Sequence, residues 1–302
     1  MPISGDSDNR HGWAYLRKLA LYKNYMEKIL LAFDSEPADE GAIDFACHLA
    51  VLTQSRLTGV FPGENTAEEQ IVVEQQTAVA AGTSITITGI ETLVSPLERQ
   101  EENITAFHES VARANIPAAI YLGKGDAAAE LIAQSRYADL LVIGADSFSG
   151  AGGELPTEFV KGILHDSACP VIISPDDFQG IDNIAFCYDG SKASLFAIKQ
   201  FAYLFPQLRS QRVKVIGLRA AEVPAEDQAR LTEWLGYHFS NVEWVAQGDE
   251  TAEALFHYLL KRRQDFVVMG PYGHGLLTSF FEPEYETGTL RMSSLPIFVS
   301  HG

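Results

Sequence analysis

KILLAFDSEPADEGAIDFACHLA, residues 28–50, and NIAFCYDGSKASLFAIKQFAYLF, residues 183–205, are two copies of one unit. In each, an apolar run ends in an aromatic residue and then an aspartate: Phe33-Asp34 in the first copy, Tyr188-Asp189 in the second. Turn residues follow, and then a helical pattern in which Ala42-Ile43 falls opposite Ala197-Ile198. Asp34 and Asp189 are 155 residues apart, and the two dipeptides keep that offset. Runs of Ile, Leu, Val and Phe without strict alternation are the signature of strands buried on both faces, as in parallel sheets.

Three further pairs of blocks follow in the same order. GDAAAELI (125–132) matches GDETAEAL (248–255), DLLVIGAD (139–146) matches DFVVMGPY (265–272), and CPVIIS (169–174) matches LPIFVS (295–300). The last two pairs share an offset of 126. An ordered set of four blocks occurring twice is an internal duplication, with its boundary near Pro175 to Gly180. The pattern predicts strands near 28–33, 57–61, 118–122, 139–143 and 170–174, then 184–188, 213–218, 242–246, 265–269 and 296–300. Helical patterns lie between them, at 38–53, about 97–115, 126–136 and 156–167, then 192–205, 225–239, 249–263 and 284–294. Strand and helix alternate throughout, which predicts parallel βαβ units and an α/β class. Each repeat is thus expected to be a doubly wound, five-stranded parallel sheet. The first domain spans 26–176 and the second 180–302.

The offset falls from 155 to 126 between strand two and strand four, so the first repeat carries 29 extra residues. They fall mostly within 65–91, where SITITGI (84–90) alternates like a strand and 67–80 has helical character. Long insertions are often functional. They also cost little as solvated excursions, which is the plainer reading. Residues 1–25 are polar at first and then mix Trp13 and leucines with Arg17, Lys18 and Lys23. They read as an appended N-terminal arm or as an upstream start that adds no fold, without the apolar core or cleavage site of a signal peptide.

The chain has a formal net charge of −18, with 46% hydrophobic and 21% charged residues. An acidic surface repels phosphate backbones and anionic lipid, so neither nucleic acid nor membrane is an expected partner. No apolar run reaches the roughly 18 residues of a membrane helix. Three cysteines, Cys47, Cys169 and Cys187, form no CxxC pair. That argues against a disulfide scaffold or thiolate metal site and for a cytoplasmic location.

The set of blocks resembles a tandem universal stress protein over about 27–302. The residues that carry the resemblance are the strand ending in Asp (FDSE, YDGS), the GD before helix three, the Gly turn after strand four and the CPV or LPI opening of strand five. The resemblance implies an adenine nucleotide alpha-hydrolase-like fold of strand order 3-2-1-4-5. Its crevice would open between strands one and four, where strand order reverses. The family commonly pairs two such domains through strand five. An intramolecular pseudo-dimer is therefore implied, with a further homo-dimer left open.

ATP-binding members carry Gly-x2-Gly-x9-Gly-Ser/Thr after strand four, the last pair opening helix four, whose free N–H groups receive the phosphates. Here the first repeat reads Gly144, Ser147, Thr157-Glu158, and the second reads Gly270, Gly273, Pro283-Glu284. Both lack the closing pair and place a glutamate where a phosphate would sit. Asp34, Gly144, Ser147, Asp189, Gly270, Gly273 and His274 are the candidate crevice residues. For each aspartate the ordinary alternative is a loop or helix cap, and for His274 a solvated loop histidine. There is no GxSxG, HExxH or GxxxxGK[ST] motif and no metal-ligand spacing around His274 or His301. The expectation is a regulatory or ligand-sensing role in stress response, with no catalytic residue assigned and no cofactor named with certainty. ATP or another adenine nucleotide is the cofactor the resemblance offers. An ATP switch with weak hydrolysis in the second repeat and a protein-interaction scaffold are the alternatives.

Overall fold

In a computed structural model the described residues are 26–34, 36–61, 63, 96–148, 156–217, 223–245, 258–259, 262–270 and 295–300. The N-terminal arm, the 65–91 insertion, Gly273, His274, Pro283-Glu284 and the expected helix at 284–294 lie outside them. Of the expected 249–263 helix, Tyr258 and Leu259 are helical.

The first half runs β1 (Lys28–Ala32), α1 (Glu40–Thr53), β2 (Arg56–Phe61), α2 (Pro96–Ala114), β3 (Ala118–Leu122), α3 (Ala127–Ser135), β4 (Leu140–Ile143), α4 (Glu158–Asp166) and β5 (Val171–Ile173). The second half runs β6 (Asn183–Tyr188), α5 (Lys192–Leu204), β7 (Arg212–Gly217), α6 (Ala225–His238), β8 (Asn241–Val245), β9 (Asp265–Met269) and β10 (Ile297–Val299). Helix starts follow local capping chemistry. Asp39, Asp126 and Ser191 accept hydrogen bonds from Gly41, Ala129 and Ser194 backbone N–H groups, satisfying donors that the first helical turn leaves free. Helix α1 begins at Glu40, two residues later than its periodicity suggests, because Asp39 takes the cap.

All ten strands join one sheet in the order β3-β2-β1-β4-β5-β10-β9-β6-β7-β8. Within each half the neighbours are parallel, so each half has the order 3-2-1-4-5. The halves meet through an antiparallel pair, β5 with β10, in the register Val171↔Val299, Ile172↔Phe298 and Ile173↔Ile297.

Alternate side chains of each strand enter opposite cores. Ile29 and Leu31 pack on the side of α1 and α2, with Phe45, Phe107 and Val111. Leu30 and Ala32 pack on the side of α3 and α4, with Leu131, Val160 and Ile163. Both cores run across the seam. The Phe45 ring of α1 meets Phe266 of β9 at a centroid distance of 6.1 Å, edge to face. Within the second half, Phe201 of α5 meets Phe298 of β10 edge to face at 5.4 Å. The three cysteines are buried and unpaired. Burial pushes the Cys47 thiol to about 11 and those of Cys169 and Cys187 to about 12, leaving them as inert core residues. Among the described residues no helix is long and apolar enough to cross a membrane.

Candidate functional site

The strand order reverses between β1 and β4 in the first half and between β6 and β9 in the second. At the carboxyl end of β1 stands Asp34. Its Oδ1 accepts from the Glu36 N–H at 3.0 Å, and its Oδ2 accepts from the Phe148 N–H at 2.9 Å. The second bond spans the crevice and ties the loop after β1 to the loop after β4. Buried Asn103 of α2 holds the first of these loops from behind. Its Nδ2 donates to the Glu36 carbonyl at 2.9 Å, and its Oδ1 accepts from the Ala38 N–H at 2.8 Å. Burial raises the Asp34 carboxyl above its ordinary value. The two backbone donors oppose this, while nearby Asp146 and Glu36 add to it.

The loop after β4 folds onto the start of α4. Gly144 begins a turn whose carbonyl accepts from the Ser147 N–H at 3.3 Å. Buried Thr157 then closes the loop. Its Oγ1 donates to the Ser147 carbonyl at 2.8 Å and accepts from the Val160 N–H at 3.2 Å. Phe148 adopts a left-handed backbone, φ 59°, a region that bulky residues seldom enter. Its ring stacks on Phe159 of α4 at 3.9 Å.

These contacts correct one expectation. Glu158 does lie in the first turn of α4, but its carboxylate turns outward to Lys161 at 2.7 Å and is highly exposed. The donor at the helix N-terminus is answered by Thr157, at the position where the ATP motif has glycine. Thus Asp34, Gly144 and Ser147 come together at one crevice. Phe148 and Phe159 join them without any sequence signal, since a left-handed phenylalanine follows no turn rule.

The second half is built differently at the same place. Asp189 turns back on its own loop, accepting from the Ser191 N–H at 2.9 Å. Burial acts to raise its carboxyl, but hydrogen bonds from Ser191 and Ser194 outweigh this and hold it below its ordinary value. Gly190 has φ +78°, so the turn into α5 needs glycine there. Gly270, after β9, lies against the backbone of Ala193 and Ser194, where a Cβ would come within 2.9 Å. Asp189 and Gly270 therefore flank the first turn of α5 from two sides. At Gly144 a Cβ would come closest to side-chain atoms, of Asp146 and Ser147 at 3.1 Å, with the Ser147 backbone N farther away at 4.0 Å. Among the described residues no group of three or more His, Cys, Asp or Glu side chains is arranged to hold a metal ion.

With this geometry in view, residues 26–175 match the model of the universal stress protein family. Through its first half, the chain belongs to that family. A universal stress protein from Archaeoglobus fulgidus DSM 4304 superposes with a TM-score of 0.62 at 16% identity, covering 92% of this chain and 99% of its own. At that identity the likeness is one of fold. A putative universal stress protein from Pseudomonas aeruginosa UCBPP-PA14 aligns over 93% of this chain and 94% of its own, with a TM-score of 0.49 and 12% identity. A universal stress protein from Archaeoglobus fulgidus, solved in complex with dAMP, aligns with 48% of this chain and 96% of its own, at a TM-score of 0.32 and 12% identity. No curated protein matches the chain.

Proposed function

We propose that this universal stress protein is a cytoplasmic regulatory or ligand-sensing protein whose first crevice does not take ATP through the family's phosphate loop. One observation carries the reading. Two of the donors that would face a phosphate are already engaged within the loop: the Thr157 N–H donates to the Ala145 carbonyl, and the Val160 N–H to Thr157 Oγ1, which itself binds the Ser147 carbonyl. An incoming phosphate chain would have to displace this cap before it could use the usual attraction of a helix N-terminus for anions. The two halves act as an intramolecular pseudo-dimer, and the crevices are left to ligands without a triphosphate.

Calorimetric titration of ATP into the purified full chain tests this. The expected result is no binding at micromolar concentration. Ser147→Gly/Thr157→Gly/Glu158→Ser, which rebuilds the family motif, is expected to gain it. Glycine at a helix cap costs only a few tenths of a kcal/mol against threonine, so the variant should fold. Micromolar ATP binding by the wild-type chain, lost in Asp34→Ala, would refute the reading. Loss in Asp189→Ala instead would move the activity to the second half and support the ATP-switch alternative.

A further inference from the structure

A cleft of about 360 Å³ opens between α5 and α6 in the second half. It adjoins the second crevice, since Gly190 and Ser191 beside Asp189 line it, although Asp189 and Gly270 do not. Its volume is that of a small-molecule site. Buried Tyr188 and Leu231 line it, together with Leu195 and Trp234, which are only partly covered. Lys192, Leu195 and Lys199 follow one another along the lining face of α5 at helical spacing, so the two lysines flank the leucine.

The charges are uneven. Neither Lys192 nor Lys199 has an ion-pair partner among the described residues. Arg230 on the opposite wall is already paired, with Glu226 and Asp227. The cleft therefore keeps two uncommitted ammonium groups beside apolar side chains, in a chain whose net charge is −18. The duplication supplies a control. At the 155-residue offset, the positions of Lys192, Leu195 and Lys199 are held in the first half by Pro37, Glu40 and Asp44. The same stretch is acidic in one half and basic with an apolar centre in the other. A basic solvated face would not need the adjoining cavity, and an apolar packing face would not need the lysines.

We infer that this cleft binds a small aromatic carboxylate, its ring lying against Trp234 and Leu195 and its acid group held by Lys192 and Lys199. Long, flexible lysine side chains two turns apart can converge over the residue between them. The site lies wholly in the second half, so its test leaves the reading of ATP binding at the first crevice untouched.

The probe is 2-naphthoate, titrated by calorimetry into the full chain beside 2-naphthamide, which has the same ring and no charge. One naphthoate per chain is expected, bound on the order of tenfold more tightly than the amide, as two charge-assisted contacts would give. Lys192→Met/Lys199→Met should abolish that preference while leaving the circular dichroism and melting temperature unchanged. Trp234→Ala should weaken both ligands alike. Equal binding of acid and amide, a preference that survives in the double lysine variant, or no binding of naphthoate at millimolar concentration would each overturn the proposal.

Discussion

Replacing Lys214 by methionine tests how the second half is held together beneath its crevice. Lys214 on β7 and Asp265 on β9 are almost fully buried, at 5% and 1% exposure. The Lys214 Nζ lies 3.6 Å from Asp265 Oδ2, and Asp265 Oδ1 accepts from Asn183 Nδ2 at 2.7 Å. Oδ2 itself has no hydrogen bond, so attraction to the ammonium is its main compensation. At that separation and an effective dielectric of about 20, the attraction is about 4–5 kcal/mol. It is offset by several kcal/mol for desolvating each ion. The intact pair is therefore close to neutral for stability, whereas breaking it is not. Lys214→Met would strand a buried carboxylate with one hydrogen bond and should cost about 3–5 kcal/mol. Lys214→Met/Asp265→Asn removes both charges, keeps an acceptor for Asn183, and should return to within about 1 kcal/mol of the wild type on the same grounds. Urea unfolding followed by tryptophan emission is a suitable assay, because Trp234 and Trp244 both lie in this half. A single variant as stable as the wild type, or a double variant no better than the single, would refute the claim that burial makes this pair interdependent.

Other perturbations separate the two crevices. Gly270→Ala drives a Cβ to within 2.9 Å of the α5 backbone and should cost about 1–3 kcal/mol as overpacking. Gly144→Ala comes closest to side-chain atoms, at 3.1 Å, and should cost less, both read from urea midpoints. Phe148→Ala gives up the stack on Phe159 and should lose about 1 kcal/mol, whereas Phe148→Gly recovers part of this through its freedom at φ 59°; the difference in melting temperature checks the order. The pH responses of the two aspartates should be opposite in sign. Asp189 is held below the unfolded value of 3.8, so its contribution is present above that value and is lost as pH falls through the folded one. Asp34 is raised above 3.8, so its charge begins to cost stability as pH rises from the unfolded value through the folded one. Carboxyl-carbon NMR titration of the two side chains gives the folded values, and movement of both in the same direction would contradict the assigned environments.

Most strands were legible because they are buried on both sides and so are written as apolar runs, while the edge strands β3 and β8 are only partly buried. Residues 118–122 and 265–269 are strands at the expected bounds. The GD before helix three was legible because its chemistry is local: Asp126 accepts from the Ala129 N–H three residues on. The first crevice was legible only in outline. Glu158 is in its expected turn, but which way its carboxylate faces depends on Lys161, and which group caps α4 depends on Ser147 ten residues back. Phe148 owes its left-handed backbone to its surroundings, among them the Asp34 carboxylate from a distant strand and the Phe159 ring. The cleft between α5 and α6 was not legible at all. Its lysines and Trp234 belong to separate helices, each of which alone reads as an ordinary amphipathic face.

The antiparallel seam of β5 and β10 has a consequence for how the two halves stay matched. Two separate copies joined by strand five could part on dilution and exchange with other chains of similar edge. Here the partner is synthesised with its counterpart, at an effective concentration that dilution does not alter. Among the described residues the edges still open are β3 and β8, at the far ends of the sheet. Subunit mixing through the seam is thereby foreclosed. Each molecule carries one crevice of each kind in a fixed one-to-one ratio, which left the two halves free to become unlike.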